Sequence, residues 1–200
     1  MKSLSSFVLF NGAWFVVVAA AARGDVWLGV WAYAAVVALH LALLVPRGER
    51  GRELFYVLCV GGAGLVLDTG LHALGATNYP SSTADWPYLV VPPWIVALWA
   101  GFATIVRHSL AWLRGRPLLA ALLGAVGGPL SYFGGSRLGA VAHADSEFFT
   151  YGLLALEYAL VTPLLVALAP WRDGPRSAPD AQSPSEGGSV PPPPATARVR

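Results

Sequence analysis

Charge is scarce in this chain. Asp, Glu, Lys and Arg make up 12% of its 200 residues, against about 25% in a typical soluble domain. Over half the residues are hydrophobic (56%), and they gather in runs long enough to cross a bilayer. Together these features exclude an ordinary water-soluble domain. The net charge is only +2 and no basic stripe with interleaved aromatics occurs, so nucleic acid is not an expected partner. A single cysteine, Cys59, forbids an intrachain disulfide. Motifs for soluble chemistry are missing too. GGAG at 61–64 follows no strand and is no dinucleotide fingerprint, and no Gly-x-Ser-x-Gly elbow occurs. A membrane zinc centre needs three or four ligands at one depth. His40 and His108 fall near one end of their spans and His72 and His143 near the other, so only Asp68, His72 and His143 would meet. No cofactor and no metal is expected.

A hydrocarbon core about 30 Å thick needs about 20 apolar residues per helix. Six stretches meet that need: 4–22, 26–45, 54–75, 93–113, 117–136 and 148–169. They predict an all-α polytopic transmembrane helix bundle over residues 1–169. From Pro170 the composition shifts, and half of the 16 prolines fall there, mixed with Ser, Gly and Asp. Such a segment buries no core, which predicts a disordered, Pro-rich cytoplasmic tail over 170–200. Lys2, the apolar run after it and Ala20-Ala21-Ala22 imitate a secretory signal. Asn11 and Trp14 inside that run favour a retained helix.

Arginine sets the expected sidedness. Arg47, Arg50 and Arg52 lie on one connection, Arg114 and Arg116 on another, and Arg172, Arg176, Arg198 and Arg200 in the tail. The alternate connections carry only Arg23 and Arg137, and 76–92 has neither Lys nor Arg. Positive charge is retained in the cytoplasm. Both termini are therefore expected inside a bacterial inner membrane, with 76–92 outside. Tyr79, Trp86 and Tyr88 on that loop are of the type that settles at the interface.

Two carboxylic acids lie within the spans, Asp68 and Glu157. A carboxylate at mid-bilayer costs about 3 kcal/mol on insertion scales and marks a functional candidate by default. His72 is one turn from Asp68 on the same helix face. The two read either as a proton- or cation-handling pair or as a self-neutralising pair that locks packing. Glu157, with Pro163 six residues on, reads as a site residue or as a protonated acid bonded to a neighbouring helix. The fifth span places Gly124 and Gly128, and Gly135 and Gly139, four apart, a spacing that permits close helix approach. Gly127-Gly128-Pro129 at its centre predicts a bent or broken helix, with Ser131 and Tyr132 at about the depth of Asp68. Trp99, Thr104 and His108 recur at helical intervals on the fourth span, and Arg107 is expected to snorkel to the cytoplasm. Asn11 needs a hydrogen-bond partner in lipid.

Four stretches carry a resemblance: NGAWF at 11–15, LVLDTGL at 65–71, PPWIVALWAGFATIVRHSLAWL at 92–113 and LLGAVGGPLSYFGGSRLGA at 122–140. Together they resemble an uncharacterised bacterial integral membrane family known as domain of unknown function 2878. The resemblance implies a compact multi-span helical protein of unknown activity. It marks Asn11, Asp68, Trp99, His108, Gly128, Pro129 and Tyr132 as motif positions without roles, and Glu157 lies outside the motifs.

The leading expectation is a small transporter or carrier of a small or amphiphilic solute that uses Asp68 in the membrane. A membrane-embedded lipid-modifying enzyme, with Asp68 and Glu157 as acid and base, is the second reading. A non-catalytic assembly subunit is the third. The expected partners are the lipid bilayer, a small-molecule or lipid substrate, and a second copy of the chain.

Overall fold

The computed structural model describes residues 2–80, 90–143 and 146–171. It is all-α, with six helices: α1 Lys2–Ala21, α2 Val26–Leu39, α3 Arg50–Ala73, α4 Pro93–Val106, α5 Pro117–Arg137 and α6 Glu147–Leu168. Local chemistry sets several ends. The Asp25 side chain accepts from the Leu28 N–H at the start of α2, and Ser146 accepts from Phe149 at the start of α6. Pro93 and Pro117 open α4 and α5, where their missing N–H costs nothing. Gly75 and Gly139 take left-handed φ angles of 72° and 87° just after α3 and α5. The chain then forms two short strands, β1 Thr77–Asn78 and β2 Ala142–His143, paired antiparallel. This pairing puts the ends of α3 and α5 on the same side.

Four helical segments are long and apolar enough to cross a membrane: Val26–Leu44, Arg47–Ala73, Pro117–Arg137 and Glu147–Leu168. Ser6–Ala21 and Pro93–Val106 are shorter apolar helices. The chain is a multi-pass membrane protein by this composition. Leu, Phe and Val side chains cover much of its outer surface, as at Phe55, Val66, Leu118 and Phe148. α4 is the central element, packed against α1, α2, α3 and α6, while α5 and α6 form a close pair.

Three sequence expectations change. α5 runs unbroken through Gly127-Gly128-Pro129, so of the bent or broken helix expected there, the break does not occur. A proline removes one backbone hydrogen bond, and here the glycine face is packed tightly against α6, which supports the helix across that gap. The fourth helix stops at Val106 rather than 113, because the chain turns at Arg107 before a short 3-10 turn at Ala111–Leu113. The second span ends in a π-helical turn, His40–Leu44, where regular helix was expected. Trp86, Tyr88 and the expected disordered tail from residue 172 lie outside the described residues.

Candidate functional site

Asp68 is 0% exposed. Two side chains from other helices donate to its carboxylate. Trp99 Nε1 of α4 reaches Oδ2 at 2.5 Å, and the Tyr132 hydroxyl of α5 donates to Oδ1. Asp68 thus ties α3, α4 and α5 together through hydrogen bonds from two other helices. The Tyr79 ring, from the loop after α3, is buried beside them.

Glycines make this meeting possible. Gly64 lies one turn before Asp68 on the same face of α3, and the Trp99 indole sits against it. A Cβ at Gly64 would lie 2.1 Å from Trp99 Cγ, inside any tolerable contact. The other face of Trp99 stacks on Tyr158 of α6, with centroids 5.2 Å apart and planes at 24°. Tyr158 in turn presses on Gly128, where a Cβ would lie 2.3 Å from its ring. The result is a four-layer stack, Gly64, Trp99, Tyr158, Gly128, contributed by α3, α4, α6 and α5. Gly124 extends the contact: a Cβ there would lie 2.1 Å from the Tyr158 carbonyl oxygen. The small-residue face therefore binds a helix of the same chain, not one of a partner.

Glu157 is half-buried on α6, close enough to Asp68 for the two charges to interact. One of its carboxyl oxygens is buried with no hydrogen-bond partner among the described residues. The aromatic stack also forms the wall of a cavity of about 390 Å³. α1 and α5 touch where Trp14 Nε1 donates to the Ser131 hydroxyl at 3.1 Å. The cavity lies beside that contact, and the exposed side chains of Phe15 on α1 and Leu123 and Leu130 on α5 line it, so it is partly open at the outer surface. Phe10 and Phe15 of α1, Leu98 and Phe102 of α4 and Leu123 of α5 make it apolar, and Trp99 and Tyr158 stand at its back. Asp68 is behind Trp99 and does not line it.

The match to the family described as "Protein of unknown function (DUF2878)" runs over residues 3–164. The chain belongs to this family. No curated protein and no solved structure matches it.

In this DUF2878 chain Trp99 and Tyr132 meet at the buried Asp68 carboxylate, and Gly128 packs against Tyr158, which stacks on Trp99. Pro129 follows Gly128 in the unbroken helix. Asn11 lines the cavity and satisfies itself by donating to the Phe7 carbonyl of its own helix at 2.8 Å. His72 follows Asp68 by one turn on α3. Its Nδ1 bonds the Thr77 carbonyl at 2.8 Å and so fastens the loop after α3. His143 lies on β2, near the Tyr151 hydroxyl. Among the described residues no group of three His, Cys, Asp or Glu side chains is placed to hold a metal.

His108 belongs to a different place, with its ring centroid 5.3 Å from that of His40. There sequence reasoning missed a buried ionic cluster. Glu53 is 0% exposed and receives Arg107 Nη1 at 2.8 Å and His40 Nε2 at 2.9 Å. Arg107 also pairs with Glu49. Arg107 does not snorkel outward: its side chain is 6% exposed and turns into the bundle to neutralise the two carboxylates. Glu53 sits one residue before the apolar run at 54, where it reads as an ordinary interfacial charge. The π-helical turn at His40 is the local departure that aims the imidazole at it.

Proposed function

We propose that the protein is a membrane-embedded carrier for an amphiphilic solute. Its apolar chain enters sideways between α1 and α5, and its bound state is sensed by the Asp68 cluster through Trp99. One observation carries this reading: an apolar cavity of about 390 Å³ is lined by exposed apolar side chains of α1 and α5 and backed by the indole that donates to the buried carboxylate. Its volume falls within the 300–1,000 Å³ range typical of small-molecule sites. A ligand pressed on Trp99 cannot shift the ring without disturbing the Asp68 hydrogen bond, so occupancy and the α3–α4–α5 junction are mechanically linked.

The test uses Gly127, which lines the cavity and whose Cβ position meets nothing within 4 Å. Gly127→Phe adds a ring at a lining position whose Cβ has room. A fatty acid brominated on its chain should quench a saturable part of the tryptophan fluorescence of the purified protein, since Trp14 and Trp99 line the cavity. The variant should bind it at least about tenfold more weakly, in keeping with the loss of a few buried methylenes. Identical titrations for the two proteins would remove the cavity from the account.

A second reading rests on Glu157. Its unpartnered oxygen and its interaction with Asp68 suit an acid–base pair acting on lipid. Loss of a lipid product from membranes carrying Glu157→Gln, with probe binding intact, would favour an enzyme over a carrier.

The same proposal includes six spans with both termini in the cytoplasm of a bacterium, on the strength of the arginine distribution. Reporter fusions after Arg50, Ser82, Gly115 and Asp180 should read inside, outside, inside and inside. An outside signal at Asp180 would overturn this threading.

A further inference from the structure

A second depression lies between α3 and α6, with a volume of about 790 Å³. We propose that it is a binding site for a single anionic phospholipid. Arg52, Phe55, Cys59 and Ala63 of α3 form one wall, spaced so that all four share a helix face. Leu164 and Leu168 of α6 form the other. The floor is built by a cross-helix bond, Tyr56 hydroxyl to Leu165 carbonyl at 2.8 Å.

The length and the charge of the groove decide its occupant. From Arg52 to Ala63 the helix rises about 16 Å at roughly 1.5 Å per residue. That is close to half of a hydrocarbon core about 30 Å thick, the depth one acyl chain occupies. Both charged residues that line it, Arg52 and Arg114, are cationic, and no acidic side chain lines it. Arg114 stands over the Trp171 ring, 5.4 Å from its centroid, and Trp171 is itself fixed by donating to the Val166 carbonyl at 2.7 Å. Arg52 and Trp171 thus mark a polar end where a phosphate meets two guanidinium groups, while the chain runs toward Ala63. A zwitterionic headgroup would bring its amine against the same two cations. A water-soluble anion would leave the apolar length of the groove unused.

Native mass spectrometry of the full-length protein released from nanodiscs of equal phosphatidylglycerol and phosphatidylcholine tests this. One retained phosphatidylglycerol is expected, favoured over phosphatidylcholine by about tenfold, the scale of one to two favourable cation contacts with anionic lipid. Arg52→Gln, at an exposed position, should bring the two lipids near parity without loss of folded protein. Ala63→Phe should lower retention of both lipids by blocking the chain end, and added inorganic phosphate should change nothing. Equal retention by the wild type would overturn the proposal. So would an unchanged preference in Arg52→Gln, displacement by inorganic phosphate, or a lipid-free dimer.

Discussion

Replacing Asp68 by leucine should destabilise the protein by roughly 2–6 kcal/mol, because two buried donors lose their acceptor at about 1–3 kcal/mol each. The donors are the Trp99 indole N–H and the Tyr132 hydroxyl. Asparagine should cost far less. An indole only donates, so the asparagine carbonyl must face Trp99, and its amide then donates to the Tyr132 oxygen, whose hydrogen turns elsewhere. Both contacts survive while the charge and the titratable group are lost. Thermal unfolding of the purified variants in one detergent would show Asn near wild type and Leu well below it. A stable Asn variant that binds no probe would then assign function to the carboxylate rather than to packing. If Asn were as unstable as Leu, the cluster would depend on the negative charge itself. Gly64→Ala offers an independent route to the same junction, since its Cβ would push Trp99 off Asp68, whereas Gly62→Ala meets open space and should be neutral.

Arg107→Met should cost about 3–5 kcal/mol, the usual consequence of leaving a buried charge without its counter-ion. Glu53 would keep only the His40 contact. The informative comparison is the double variant Glu53→Leu with Arg107→Met. Replacing a buried ion pair with apolar side chains of similar volume is often neutral or better, and Glu49, which loses Arg107 in both cases, is partly exposed. The double variant should therefore recover most of the loss and show strong non-additivity in a double-mutant cycle. Two single losses that simply add would mean that Arg107 and Glu53 act independently.

Much of the helix layout was legible because a membrane span announces itself by the length of its apolar run, and five of the six expected spans coincide with their helices to within a few residues. The fourth was read too long, since Arg107 looked like an interfacial cation when it is an internal counter-ion for Glu53. The fifth is continuous where a bent or broken helix was expected, because Gly127-Gly128-Pro129 weakens a helix taken alone. The close contact of Gly124 and Gly128 with Tyr158 shows what those glycines serve. Asp68 stood out by its cost in lipid, Tyr132 by its depth, and Trp99 by its helical spacing with Thr104 and His108. That all three share one point could not be read from any one helix, since each comes from a different helix. For His72 the i, i+4 relation fixes a shared face with Asp68, but not that its Nδ1 bonds the Thr77 carbonyl. Tyr158 carried no signal at all. It is one more aromatic in an apolar run until Gly64 and Gly128 on other helices give its ring a place to stack.

The carrier reading is tested most directly by mapping where an amphiphile sits. A fatty acid with a diazirine on its chain, photolysed with the purified full-length protein and located by peptide mass spectrometry, should label the walls of the α1–α5 cavity. Phe10, Leu98 and Leu123 are the expected positions, and an excess of unlabelled fatty acid should compete the adducts away. Gly127→Phe should lose those adducts and keep the weak, non-competed labelling of the outer surface. Labelling spread evenly over exposed residues such as Val66, Leu118 and Leu160, unaffected by competitor or by Gly127→Phe, would contradict the account.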